Sequence, residues 1–565
     1  MAEIPAIAER RRALARRHPV WRPQTLDRML RRQAESFGGR PMVITDEGTW
    51  SYAEVVEMAE RLARGLHAGG VGPGDRVAMV MANHAIFIPL ALAVWRLGAS
   101  LIPVNFAFQA RELGYVIGQS ACRTVVTMAA FRDLDYLAML DELAPGWEGG
   151  AHDRFPELRQ VITFGGGRTG VPTVDDILAR GAAETAPLYD NPATPDDPAV
   201  IMYTSGTTGA PKGVLQSHDS LLRNGYATAM QRAFEDGRRM LFSLPLYHAF
   251  ALVSGTISCF WAGGAIIPRL VFDPLDTLQA CERHRATDIL FVPTMAMAVV
   301  EHPDIGNYDL SSLFACQSAA AATPVRVWQQ LAEGLGLPEL VTGYGMTELS
   351  AATTMTEPDD PLLRLEQTVG RVMRGGAAGM PELGGLVAEY RTADPYSGEF
   401  LPDGAEGELV CRSPFATTGY FAKPAETEAL FLPGGWLRSG DLGRLRQDGY
   451  LELTGRSKEL YKSGGEMVAP KEVEELLAER PDVAQAYVIG LPDERWGEIG
   501  AAWVVPAPGA EPAADELIAW CRERLARFKQ PRHVFFTEAD DLPTTPTGKV
   551  QKFELIKRAQ AILDA

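Results

Sequence analysis

Amphipathic helical stretches alternate with short apolar runs through much of this 565-residue chain, and that alternation narrows the fold more than any single motif. The segment TWSYAEVVEMAERLARGLHAGG opens on Ser51, a polar capping residue, and continues as an amphipathic helix to Gly69 and Gly70. GDRVAMVMAN then supplies a β-rich run, and a second helix around Ile86 to Leu97 leads into the strand-like ASLIPVNF. Helices and strands in this order hide their apolar faces by layering, which gives an α/β architecture. Because 46% of the residues are hydrophobic, more than one core can be filled. The length suits two or three domains at about 100–200 residues each.

Further along, residues 151–198 are dense in turn formers (FGGGRTG, DNPATPDDP) and read as loops around short strands. Val200 to Tyr203 is a buried-strand candidate followed by a Ser/Thr/Gly loop, and Ser217 to Met230 is helix-compatible. From about Arg371 to Val410 the pattern turns to short strands with tight turns, the mark of a small barrel or distorted sheet. After Thr454, Pro470 opens a helix with Glu472 in its first turn; VAQAYVIGLPD, GAAWVVPAPG and HVFFTEA read as strands and Ala513 to Arg527 as a helix. The last hundred or so residues therefore form a compact α+β domain.

With 54 Lys and Arg against 72 Asp and Glu, the formal charge is −18, which disfavours sequence-blind attraction to nucleic acid or anionic lipid. The six cysteines are too far apart for a CxxC redox pair or a zinc knuckle and read as buried thiols in a reducing compartment. The N-terminal stretch is charged and helix-compatible rather than signal-like, and the apolar run from Ala85 to Ala107 is broken by Arg96 and Asn105. A cytoplasmic protein with no transmembrane segment is expected.

The strongest local signal is Thr204-Ser205-Gly206-Thr207-Thr208-Gly209-Ala210-Pro211-Lys212-Gly213. Its glycines permit close backbone approach, its hydroxyls can donate, and Lys212 brings a cation, so the segment is built for phosphate. Its spacing fits neither GxxxxGK[ST] nor GxGxxG. In Gly343-Tyr344-Gly345-Met346-Thr347-Glu348, Thr347 can donate to a phosphate and Glu348 is a hard oxygen ligand suited to Mg²⁺, while helix-start capping by Thr347 is the plainer alternative. Asp441 and Arg456 place a carboxylate and a guanidinium near turns, where a hairpin ion pair also accounts for them. His248, alone in LPLYH, is open to a packing or capping role, and Lys549 in PTTPTGK to a solvated one.

Taken together, TSGTTGAPKG, LPLYH, GYGMTE, TGY, SGD, GRSKE, GGEMVAPKEVE and PTTPTGK occur in an order that resembles the adenylate-forming acyl-CoA synthetases, and LARGLHAGGVGPGDRVAMVMAN extends the likeness toward the N-terminus. The resemblance implies a large domain, residues 1–457, of layered α/β sheets plus the small barrel, and a small mobile α+β domain, residues 458–565. It implies that ATP, Mg²⁺ and CoA take part. Residues Thr204, Ser205, Gly206, Thr207, Thr208, Gly209 and Lys212 would cradle the pyrophosphate end of ATP. Tyr344 would flank adenine, Thr347 contact phosphate, Glu348 hold Mg²⁺, and Asp441 with Arg456 bind the ribose. Lys549 would serve adenylation, Lys458 the hinge, and Gly464 and Gly465 the CoA tunnel. His248, Ala319, Ala320, Ala321, Gly343 and Gly345 would border the acyl pocket.

The implied chemistry has two steps. A carboxylate attacks the α-phosphorus of ATP and releases pyrophosphate; the thiol of CoA then attacks the acyl-adenylate carbonyl and AMP leaves. Transfer to a separate carrier protein is the enzymatic alternative, and a catalytically silent nucleotide-binding scaffold the non-enzymatic one. The expected partners are a small carboxylic acid and CoA or a carrier protein, with no nucleic acid; a homodimer is left open. One departure from the family stands out. Where relatives carry a glycine-containing stretch resembling SGGAPL, this chain reads Ser318-Ala319-Ala320-Ala321-Ala322-Thr323-Pro324, and each added methyl alters the pocket wall. Ala320→Gly is expected to change acyl preference more than ATP affinity, measured by competing acids and by ATP titration; equal effects on both would contradict this.

Overall fold

The computed structural model describes residues 4–149, 152–204, 211–320, 323–456, 459–463, 466–493, 496–525, 527–545 and 550–563. They divide into two compact units, Met1–Glu389 with Arg412–Phe431, and Tyr390–Cys411 with Leu432–Ala565.

In the first unit the expected alternation builds two sheets. Ser51 accepts from the Glu54 amide while the Glu54 carboxylate accepts from the Ser51 amide, a reciprocal cap that starts the helix Tyr52–Ala68. That helix buries Val55, Ala59, Leu62 and Leu66, the i, i+4, i+7, i+11 positions of one stripe. The helix Phe87–Arg96 is buried all round; Pro89 lies in its first turn, where a missing amide is tolerated, and Arg96 is neutralised by Glu60 at 3.1 Å. The strand that follows the second helix lies in a six-stranded sheet ordered Lys212–Ser217, Pro198–Thr204, Ser100–Val104, Arg76–Val80, Thr124–Met128, Gln160–Phe164. All its neighbours are parallel except the first pair, an antiparallel hairpin in which Lys212 faces Thr204 and Gly213 faces Tyr203. Lys212 thus begins a strand that the short, half-polar KGVLQS did not reveal.

A seven-stranded sheet runs Glu339–Val341, Ala315–Ser318, Asp288–Phe291, Arg239–Phe242, Ala265–Pro268, Pro41–Ile44, Thr49–Ser51. At the start of its strand Asp288–Phe291, Asp288, fully buried, takes Arg232 and Arg238 at 2.6 Å each. The arginine-rich N-terminal helix Ile7–Arg17 docks by the same means: Arg10 binds Glu339, and Arg11 donates to the Met230 and Gln231 carbonyls at the end of the helix His218–Gln231. Arg11 also pairs with Glu357 at 2.6 Å, which adds a further anchor.

Residues 151–198 carry more order than their turn formers suggest. Besides the strand Gln160–Phe164 they form the helix Val174–Ala183, started by a Thr173–Asp176 capping box. Proline and glycine punctuation marked the breaks but concealed this short helix.

The second unit contains a sheet ordered Glu389–Ala393, Gly407–Arg412, Trp436–Leu445, Phe431–Leu432, with Leu451–Arg456 paired to Trp436–Leu445. Its other sheet is ordered Glu466–Val468, Tyr461–Ser463, Gly497–Pro506, Val483–Asp493, with His533–Phe536 parallel to Gly497–Pro506. Helix Pro470–Ala478 starts with its proline in the first turn, as the sequence indicates, and Ala514–Arg524 and Lys552–Leu563 complete the α+β layer. The expected 457/458 division lies on residues outside those described. All six cysteines are buried and unpaired. No helix among the described residues is long and apolar enough to cross a membrane.

Candidate functional site

Three chain segments converge beside the edge strand Lys212–Ser217. The first is the strand itself, whose leading residue Lys212 follows the phosphate-loop candidate. The second is the motif residues 343–349, a strand Gly343–Gly345 and a short 3₁₀ turn Thr347–Leu349. The third is residues 417–421, which run antiparallel to the edge strand: Leu215 donates its amide to the Gly419 carbonyl at 3.0 Å, Phe421 to Gly213 at 2.7 Å, and Tyr420 lies opposite Val214. Gly419 is required there. Its φ of 140° lies where side chains are disfavoured, and a Cβ would meet Thr427 at 2.3 Å.

This register aims Tyr420 at both charged candidates. Its hydroxyl donates to Glu348 Oε1 at 2.7 Å, and Lys212 Nζ sits 4.8 Å from the centre of its ring. Burial and the Glu348 charge hold the phenol far above its usual pKa, so it remains a donor. Carboxylate, phenol and ammonium form one connected group from residues 212, 348 and 420.

The turn that carries Glu348 is held on every side. Gln216 Nε2 donates to the Thr347 carbonyl at 2.9 Å, the Thr417 amide to the Glu348 carbonyl at 2.7 Å, and Asn224 Nδ2 to the Leu349 and Ala352 carbonyls at 3.0 and 2.9 Å. Met346 donates to the Ala351 carbonyl at 3.1 Å, and a Cβ on Gly345 would lie 1.9 Å from that same oxygen, which restricts position 345 to glycine. At the centre is Ser350, with φ 66° and ψ −33° and the Ala351 amide bonded back to Leu349 at 2.8 Å, a γ-turn. A non-glycine residue there costs about 1–3 kcal/mol. It is retained by Ser350 Oγ, 3.0 Å from both Ser220 Oγ and the Phe415 carbonyl oxygen. The capping alternative for Thr347 is not what forms: Met346 precedes the turn, and no side chain caps it.

Tyr344 is buried on the strand Gly343–Gly345, paired with Thr354. His248 stands at the mouth of a helical stretch that continues as the π-helix Phe250–Ile257. Its Nδ1 accepts the Phe250 amide at 3.3 Å, so the capping role foreseen for a lone histidine is real, and the ring proton resides on Nε2. Burial lowers its pKa to about 4. That leaves His248 uncharged at neutral pH, with Nε2–H as its donor.

Ala319 is buried, its amide on the Phe291 carbonyl at 3.2 Å, whereas Ala320 is exposed with φ 75°. Alanine here occupies a left-handed backbone that glycine takes without strain, at a cost of about 1–2 kcal/mol. In the second unit Asp441 is buried, its amide bonded to Ser439 Oγ at 3.0 Å, and Arg456 is its direct cross-strand partner. Of Arg456 the backbone alone is described. Ser205, Gly206, Thr207, Thr208, Gly209, Ala321, Lys458, Gly464, Gly465 and Lys549 lie outside the described residues.

The residues that sequence reasoning missed are Tyr420, Gln216, Asn224 and Ser350. Only Tyr420 carried a signal, as the last letter of TGY, and its partner Glu348 is 72 positions away.

The chain matches the AMP-binding enzyme family over residues 30–421 and the AMP-binding enzyme C-terminal domain over residues 472–549. A feruloyl-CoA synthase from an Amycolatopsis species is 35% identical over 509 residues, covering 90% of this chain and 94% of that protein. The mitochondrial medium-chain acyl-CoA ligase ACSF2 of Danio rerio is 32% identical over 556 residues, 96% of this chain and 89% of its own. The crystal structure of ATP-bound MatB from Rhodopseudomonas palustris matches with a TM-score of 0.81 at 28% identity, over 95% of this chain and 100% of MatB.

A hydrogen bond to a charged group contributes about 1.5–3 kcal/mol. Tyr420→Phe, which keeps the ring beneath Lys212 and removes only the donor to Glu348, is therefore expected to weaken Mg-ATP binding about ten-fold. Calorimetric titration with ATP at fixed Mg²⁺ checks this; unchanged binding would show that the phenol does not position the carboxylate.

Proposed function

The chain belongs to the AMP-binding enzyme family and is a ligase of the acyl-CoA synthetase kind, and from that premise we propose that it joins a carboxylic acid to CoA through an acyl-adenylate. The observation that carries the reading is the Lys212–Tyr420–Glu348 group, a cation and a carboxylate held by one tyrosine, with Lys212 at the end of the Thr204–Gly213 motif in the sequence. That pairing suits a nucleotide triphosphate with its metal.

In the first step a carboxylate oxygen attacks the α-phosphorus of ATP, the bond to the β-phosphate oxygen breaks, and pyrophosphate leaves. Two anions must meet, so local positive charge is the main requirement. Lys212 meets it from the edge strand, and Lys549 is assigned the same task from the C-terminal segment. Ser205 to Gly209 with Thr204 are assigned to the phosphates, Thr347 to the α-phosphate side, Tyr344 to adenine, and Asp441 with Arg456 to the ribose. These assignments rest on the resemblance of the motifs to those of the family.

The donor set also fits Mg²⁺. No cluster of three His, Cys, Asp or Glu suited to a metal occurs among the described residues. Mg²⁺ is ordinarily bound by one or two protein carboxylates, with phosphate and water supplying the rest, and Glu348 supplies one. When bound, the ion would offset phosphate charge.

In the second step the thiol of CoA loses its proton, its sulfur attacks the acyl carbonyl, and the bond to AMP breaks. His248, a neutral donor, borders the acyl site together with Ala319, Ala320, Ala321, Gly343 and Gly345 in this reading. A rotation of residues 458–565 about Lys458 would withdraw Lys549 and bring Gly464 and Gly465 toward the acyl group, letting one acyl site serve both steps.

The test is a panel of aliphatic, aromatic and polycyclic acids with Mg-ATP, run with and without CoA and read by mass spectrometry. Acyl-AMP without CoA and acyl-CoA plus AMP with it are expected for at least one class of acid. Acyl-AMP that persists in the presence of CoA would assign the acyl group to a carrier protein, and absence of any adenylate would overturn the reading.

A further inference from the structure

Asn83, the last residue of GDRVAMVMAN, has no part in the machinery described so far, yet it is among the most fully used polar side chains of the first unit. It is buried just beyond the strand Arg76–Val80. Its Nδ2 donates to the Leu244 carbonyl at 2.9 Å and to the Arg269 carbonyl at 3.1 Å, and its Oδ1 accepts the Leu246 amide at 2.9 Å. Two carbonyls and one amide leave no freedom over which end of the side chain is oxygen, and three of the four bonds an asparagine can make are filled.

Those partners place one side chain at the carboxyl ends of three parallel strands from two sheets. Asn83 follows Arg76–Val80 in the six-stranded sheet; Leu244 and Leu246 follow Arg239–Phe242, and Arg269 follows Ala265–Pro268, both in the seven-stranded sheet. In α/β proteins ligands bind beyond such ends. The loop between Phe242 and the helical stretch holding Phe250 is the LPLYH segment. Within it the His248 amide donates to the Pro245 carbonyl at 3.0 Å, and Pro245 is the residue between the two that Asn83 grips. Tyr247 packs edge-on against Phe106, ring centres 5.5 Å apart, and leaves its hydroxyl without a partner, so this neighbour adds apolar packing but no second polar anchor.

We propose that Asn83 is the positioning residue for His248: by fixing both sides of Pro245 across the junction of the two sheets, it sets where the imidazole Nε2–H points in the acyl site. The inference rests on the acyl-site role given to His248 above. It also explains why asparagine is needed here. Aspartate lacks both donors, serine cannot reach two carbonyls, and leucine would strand three backbone groups.

The test is a double-mutant cycle of Asn83→Asp and His248→Ala, using whichever acid of the panel reacts fastest. Asn83→Asp is expected to lower kcat for acyl-CoA formation roughly 10- to 100-fold, while the KM for ATP changes less than about two-fold. In the His248→Ala background the same change should add almost nothing, because coupled residues are not additive. Multiplying effects, or an equal loss of ATP affinity, would overturn the proposal in favour of general loosening. Asn83→Ser carries the same cycle if the buried carboxylate prevents folding. Independently of any activity, histidine-labelled protein should show the His248 ring signal, identified by its loss in His248→Ala, moving in the Asn83 variant while the histidines other than His84, the chain neighbour of Asn83, stay. An unmoved His248 signal would refute the positioning role even if every acid in the panel failed, a failure that by itself would count against the ligase reading alone.

Discussion

Within the first unit, the described part of the proposed nucleotide site hangs on the turn that presents Glu348. A carboxylate proposed to meet a metal and a triphosphate cannot swing freely, and a buried carboxylate is costly unless its charge is hydrogen-bonded. Both demands are met by surrounding a strained γ-turn with donors from Gln216, Asn224 and Thr417, then setting the Tyr420 phenol on the carboxylate. The strain at Ser350 is local and small beside the number of backbone groups that would lose partners if the turn relaxed. The edge strand is the common support. It carries Lys212 at one end, Gln216 at the other, and the Tyr420 segment along its free side.

The net charge of −18 sets a second constraint. A polyanionic substrate approaches an acidic protein, so attraction must come from cations placed within a Debye length of about 8–10 Å rather than from the overall field. Lys212, held over an aromatic face, suits that purpose. Much of the arginine is committed elsewhere: Arg10, Arg232 and Arg238 are buried on Glu339 and Asp288, where they fasten the N-terminal helix and the seven-stranded sheet.

How much of this was legible in the sequence depended on whether the cause was local. The helix Tyr52–Ala68 and the helix Pro470–Ala478 announced themselves through a capping serine and a first-turn proline, because caps act within three or four residues. Thr204, Lys212, Thr347 and Glu348 were singled out because residue types suited to phosphate and a metal stand together there in short motifs. The edge strand Lys212–Ser217 stayed hidden, since its hydrogen bonds run to residues 198–204 on one side and 417–421 on the other. Tyr420 and Asn83 each close a quoted run, TGY and GDRVAMVMAN, but the contacts they make were hidden for the same reason: their partners lie 72 and more than 160 positions away. The substitution of alanine for glycine at position 320 was readable as a departure, but only the backbone reveals its φ of 75° and hence its strain.

The central claim is that the fixed carboxylate of Glu348 belongs to an adenylating site. Acid-dependent exchange of labelled pyrophosphate into ATP, followed without CoA in the wild type and in Glu348→Gln, tests it most directly, because the exchange reports only the first chemical step. The account predicts exchange that requires both the acid and Mg²⁺ and is lost in Glu348→Gln. Exchange undiminished in the variant, or release of ADP and phosphate in place of pyrophosphate, would contradict it.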